Sequence, residues 1–136
     1  MTDNDIRALV EIRLEQAQNC LQSAEALIKI DLYKDAANRS YYCIFHSMRS
    51  VLALDKFDSK KHSGIISAFR QRYIKTGKFA ADFSNTIEDA FDIRADSDYQ
   101  DFYTISKDDV QQQVENAKGF LEAVQNYIDA VLEGQE

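Results

Sequence analysis

A chain of 136 residues carrying a net charge of −7 and no proline is one domain's worth, long enough to bury roughly two-thirds of the surface its unfolded form exposes. Without proline, against an average usage of about 5%, nothing interrupts helices, and no apolar run approaches bilayer length, which excludes a helical membrane span. Cys20 and Cys43 occupy apolar helical positions with no His or Cys at metal-ligand spacing, and residues Met1 to Asp5 do not read as a signal peptide, so a soluble, cytoplasmic chain with reduced structural thiols is expected.

The first helix is expected from Thr2 or Asp3 to about Ile30, with Ile6, Leu9, Val10, Leu14, Ala17, Leu21, Ala24, Leu27 and Ile28 forming one apolar stripe and the charged positions between them facing solvent. Asp31-Leu32-Tyr33 breaks the phase and makes a tight corner. A second helix from about Tyr33 to Leu54 uses Ala37, Tyr41, Ile44, Met48, Val51 and Leu52 as its core side, with Arg39, Tyr42, His46 and Arg49 on a neighbouring stripe. A polar loop, Lys56 to Lys61, leads to a third helix capped by Ser59 or Ser63 and reaching about Ile74, after which Gly77 is the expected stop. The fourth helix, from Phe79 or Ser84 to Arg94, packs through Phe83, Ile87, Ala90 and Phe91. Arg94 to Tyr103 reads as an ordered connection, with Arg94, Asp98 and Tyr99 forming a salt-bridged corner. Ser106, with Asp109 three residues on, opens a last helix to about Leu132. With no strand pattern or repeat, the fold class predicted is all-α: an up-and-down antiparallel helical bundle of about five helices, as a single domain over 1–136.

Charge is distributed unevenly. Residues 1–55 hold 6 basic and 8 acidic groups, 56–78 hold 7 and 1, and 79–136 hold 3 and 14, or −2, +6 and −11. The central basic block, Lys56, Lys60, Lys61, Arg70, Arg72, Lys75 and Lys78, is offset only by Asp58. It reads either as a solvated face or as a local positive field for phosphate, with Lys60, Lys61, Arg70 and Arg72 the candidate nucleic-acid contacts.

The chain has no Gly-rich phosphate loop, no Ser or Cys with a matching His and acid, and two histidines in all; catalytic zinc is not expected, since it wants three protein ligands that include His or Cys. Glu88 and Asp92, one turn apart, read as surface charges. Arg39 and His46 are seven positions apart, close to two helical turns, so they share a face with Tyr42 between them. An Arg binds phosphate and an imidazole moves a proton near neutrality. The pair suits cleavage of an RNA phosphodiester, with Asn38 or Tyr42 orienting it; the alternative is a hydrogen-bonded seam between helices. Seven residues separate the two Cα atoms by about 10 Å, so two copies facing across a twofold axis would complete a shared cleft. His62, beside two lysines, is expected to be exposed.

Arg39-Ser40-Tyr41-Tyr42-Cys43-Ile44-Phe45-His46, followed by His62-Ser63-Gly64, the stretch from Phe69 to Gly77, Arg94 with Asp98-Tyr99 and a long final helix, resembles the HEPN superfamily, and within it the small stand-alone prokaryotic members. The resemblance covers about Leu9 to Leu132. It implies a helical bundle that forms a homodimer, often paired with a minimal nucleotidyltransferase as toxin and antitoxin. For active members it implies metal-independent RNA cleavage by an Arg, four to six residues, then a His, with no cofactor. Arg39 and His46 fit at the longest spacing. Ser40 stands where the family usually has Asn, Asp or His, Asn38 precedes the Arg, and the Tyr that follows the His in nucleotide-modified toxins is absent. Some members bind nucleotides or partner proteins without cleaving RNA, which is the alternative expectation.

Overall fold

The computed structural model describes residues 2–101 and 103–134 as an all-α bundle of five helices, with no strand among the described residues. Helix α1 (Asp3–Lys29) opens on a capping box: Thr2 Oγ1 accepts from the Asp5 N–H and the Asp5 carboxylate accepts from the Thr2 N–H, each at 3.2 Å. Its buried face is Ile6, Val10, Arg13, Ala17, Cys20, Ala24 and Ile28, a three-four repeat that drives the helix onto its neighbours. At the corner Asp31 takes φ +63°, a left-handed conformation that Asp tolerates better than most residues, and its carboxylate accepts from the Tyr33 hydroxyl at 2.9 Å. The short corner sends α2 (Tyr33–Ala53) back along α1.

Helix α2 is the central element, packed against α1, α4 and α5. Tyr41, Ile44, Met48, Val51 and Leu52 are all at most 1% exposed. Its buried serines are paired rather than orphaned: Ser47 Oγ donates to Cys43 O, Ser50 Oγ to Ser47 O, and Ser40 Oγ to Gln113 O on α5, as buried hydroxyls require. Helix α3 (His62–Phe69) continues as a π-helical turn, Arg70–Ile74, and Gly77 at φ +79° ends the segment in the conformation that favours glycine. Helices α4 (Asp82–Tyr99) and α5 (Lys107–Glu133) close the bundle, α5 opening where Ser106 Oγ accepts from the Asp109 N–H at 3.1 Å.

Four expectations change. The segment from Arg94 is not a connection: α4 carries on to Tyr99, helped by Arg94 Nε at 3.1 Å from Asp98 Oδ2 one turn on, while Phe102 lies outside the described residues. Neither Ser59 nor Ser63 caps α3, which starts after Lys61 without a side-chain cap; Ser59 Oγ instead accepts from the Lys61 N–H at 3.2 Å and shapes the loop. Arg13, expected on the solvent side of α1, is only 6% exposed, because position 13 falls in step with the buried Val10 and Ala17. His62, expected exposed, is half-buried against the rings of α2.

Candidate active site

Arg39, Tyr42 and His46 lie on one stripe of α2, all half-buried. The Arg39 guanidinium stands 5.1 Å from the Tyr42 ring centroid. Its Nε and Nη2 donate to Asn38 Oδ1 at 3.1 and 2.6 Å, so Asn38 fixes the fork while Tyr42 lies under it. The His46 ring lies 6.0 Å from that of Tyr42 and 5.6 Å from that of Phe45. Its Nδ1 is buried without a protein partner. Burial, followed by the charges of Arg49, Arg39 and Arg13 and by His62, pushes His46 down from 6.5 to about 4, so its imidazole is neutral at physiological pH.

Ser40, the residue after Arg39, points the other way, bonded to the α5 backbone at 3.1 Å. Tyr42 has a further cation on it: Arg94 of α4 donates to its hydroxyl at 3.4 Å and stands 5.7 Å from its ring and 5.2 Å from that of Tyr41. The Arg94–Asp98 pair is therefore the ion-paired element expected from the sequence, and it also reaches into the site.

Beside the stripe sits a network the sequence reading did not single out. Asp58 Oδ2 lies 3.2 Å from both Arg13 Nη2 of α1 and Arg49 Nη2 of α2, and Arg13 Nη1 donates to Arg49 O at 3.0 Å. Burial works against the ionised Asp58, but Arg49, the Ser59 N–H and Arg13 outweigh it and hold the carboxyl below its usual range. Two signals were present in the sequence: a cation in register with apolar residues at position 13, and a single acid in a basic block at position 58.

The four candidate nucleic-acid residues are not brought to one point. Lys60 and Lys61 are exposed immediately before His62. Arg72 faces Asp55 at 3.6 Å and stands 4.6 Å over Phe57. Arg70 turns toward α4, donating to Ser84 O at 3.2 Å, and lines a groove of about 460 Å³ with Lys75 on the same wall and Glu88 and Asp92 on the facing one. Among the described residues no group of three His, Cys, Asp or Glu side chains is placed to hold a metal ion, and no helix is long and apolar enough to cross a membrane.

With this geometry in place, comparison with known proteins identifies relatives. The family model for the HEPN domain matches residues 10–127. A Thermotoga maritima protein named "UPF0332 protein" is 29% identical over 93% of this chain and 96% of its own. Two Methanocaldococcus jannaschii proteins are similar as well. "Putative toxin MJ0142" is 27% identical over 88% of this chain and 81% of its own, and "Putative toxin MJ0605" is 31% identical over 73% and 74%.

Proposed function

The chain belongs to the HEPN domain family, and from that premise we propose that it is the toxin of a toxin-antitoxin-type pair, a cytoplasmic, metal-independent RNA endonuclease acting as a homodimer. The observation that carries this reading is the Arg39–Tyr42–His46 stripe, where a guanidinium bonded to Asn38 and an imidazole held neutral flank the half-buried Tyr42 ring. Arg39 holds the scissile phosphate bidentately. Neutral His46 accepts the proton of the 2′-hydroxyl, and the 2′ oxygen attacks the adjacent phosphorus. The bond to the 5′ oxygen then breaks, and that oxygen takes a proton from solvent, leaving a 2′,3′-cyclic phosphate and a 5′-hydroxyl. Burial is the first cause of the lowered His46 value, and a bound phosphodiester offsets only the lesser part due to Arg49, Arg39 and Arg13. Because the Arg and His lie about 10 Å apart along the axis, two copies of α2 across a twofold axis supply the complete cleft. Lys60 and Lys61 guide the strand, and a minimal nucleotidyltransferase is the proposed antitoxin.

The test is cleavage of a single-stranded RNA by purified chain in the presence of chelator. His46→Ala is expected to lower the rate by at least about 100-fold, and Arg39→Ala by a similar factor. A His46→Ala variant as fast as the parent removes this mechanism. One observation favours a second reading, a non-catalytic module that binds nucleotide or docks the nucleotidyltransferase: Ser40, where relatives of this type usually carry a polar helper, is turned into the α2–α5 interface. On that reading RNA or nucleotide binds at the Arg39 stripe, no cleavage occurs, and Arg39→Ala weakens binding alone.

A further inference from the structure

The second histidine of the chain is drawn toward the same stripe from another element. The loop that delivers it is closely built: Asp58 anchors it to Arg13 and Arg49, the Asp58 carboxylate accepts from the Ser59 N–H at 2.8 Å, and Ser59 Oγ accepts from the Lys61 N–H. His62 follows as the first residue of α3. Its ring lies 4.3 Å from Phe45 and 5.8 Å from Tyr42, the two rings that also border His46. Its Nδ1 lies 2.8 Å from the Tyr41 hydroxyl.

The tautomer follows from that contact. Tyr41 is 1% exposed, and burial pushes its hydroxyl up to about 12, so it keeps its proton. A buried phenol donates its one proton where an acceptor is in reach, and the acceptor in reach is His62 Nδ1. A neutral imidazole that accepts at Nδ1 carries its proton on Nε2, on the opposite side of the ring from Tyr41. Tyr41 is held in turn from α4, by the Arg94 guanidinium 5.2 Å from its ring.

We infer that His62 is a phosphate-binding residue of the site: its Nε2–H, fixed by the Tyr41 hydroxyl, donates a hydrogen bond to a phosphate oxygen of an RNA strand lying between the Arg39–His46 stripe and the exposed Lys60–Lys61 loop. This assignment rests on the RNA reading of the site given above. His62 then supplies direction rather than charge. It grips the phosphate from α3 while Arg39 grips from α2, which positions the scissile bond against His46 without adding a further cation beside an imidazole that must stay unprotonated.

The experiment uses the full chain and a 2′-O-methyl oligoribonucleotide, which binds without being cleaved. Long-range 1H–15N spectra at pH 8 are expected to show His62 as the Nε2–H tautomer, with His62, His46 and Arg39 signals all shifting on addition of the oligonucleotide. His62→Ala is expected to weaken binding by roughly tenfold, the worth of one hydrogen bond to a charged group. His62→Gln, which keeps a side-chain N–H donor, recovers most of it, and Tyr41→Phe gives a mixture of tautomers with the fold retained by circular dichroism. Shifts at Arg39 and His46 but not His62, an Nδ1–H tautomer in the parent, or an alanine variant that binds as tightly as the parent overturns the His62 assignment and leaves the RNA reading standing. An oligonucleotide that shifts none of the three overturns both.

Discussion

At the scale of single residues, His46 is where structure and chemistry meet most directly. Burial and three guanidiniums favour its neutral form, so the folded chain binds that proton less readily than the unfolded chain, whose imidazole titrates near 6.5. Between pH 6.5 and about 4 the unfolded form therefore holds more protons, and stability rises with pH. The contribution is complete above 6.5 and is lost as pH falls toward 4; His62, also lowered by burial and by Arg94 and Arg49, acts in the same direction. Melting temperature measured from pH 7.5 to 4.5 is expected to fall more steeply for the parent than for His46→Asn, and parallel curves would contradict the shift. Arg39, Tyr42 and His46 were legible from helical spacing alone, because α2 is regular through all three. The placement of His62 was not legible: His62-Ser63-Gly64 contributed to the family resemblance, but beside Lys60 and Lys61 the residue read as exposed, and it meets the stripe only through tertiary packing of α3 on α2.

At the scale of elements, the turns decide the geometry of the site. A Cβ at Gly64 would overlap Ser59 Oγ, so the close approach of α3 to its own preceding loop requires glycine there. Gly64→Val is expected to displace the loop, destabilise the fold by about 1–3 kcal/mol and break the His62–Tyr41 hydrogen bond; a thermal melt and the His62 tautomer signal report the two effects separately. At the other end of the bundle, Ser106→Ala removes the cap of α5 and is expected to cost about 1 kcal/mol in a denaturant titration, without altering RNA binding. The long helices were readable because their apolar positions recur every three or four residues. The end of α4 was not, because Asp96, Ser97, Asp98 and Tyr99 carry no apolar period; their helix is held by the Arg94–Asp98 pair and by continuation of the backbone ladder, neither of which hydrophobic patterning registers.

At the scale of the whole molecule, α2 contributes both fully buried core side chains, among them Tyr41, Ile44 and Met48, and the candidate catalytic groups, so site and core cannot be varied independently. Within α2 the buried serines are satisfied by backbone carbonyls, and Asp58 ties Arg13 to Arg49 beside the stripe. The connections tell a complementary story about time. Helices α1 and α2 are joined by a tight three-residue corner, α2 to α3 by a loop pinned by Asp58, and the sequence holds no proline. A chain so connected makes most of its helix pairings between neighbours in sequence and has no prolyl bond to isomerise, the step that otherwise adds phases of about 10–100 s. Stopped-flow refolding from urea is expected to complete in one fast phase within about a second, and a slow phase independent of protein concentration would contradict this. A chain unfolded by a transient insult would then regain its fold faster than a cell can synthesise a replacement.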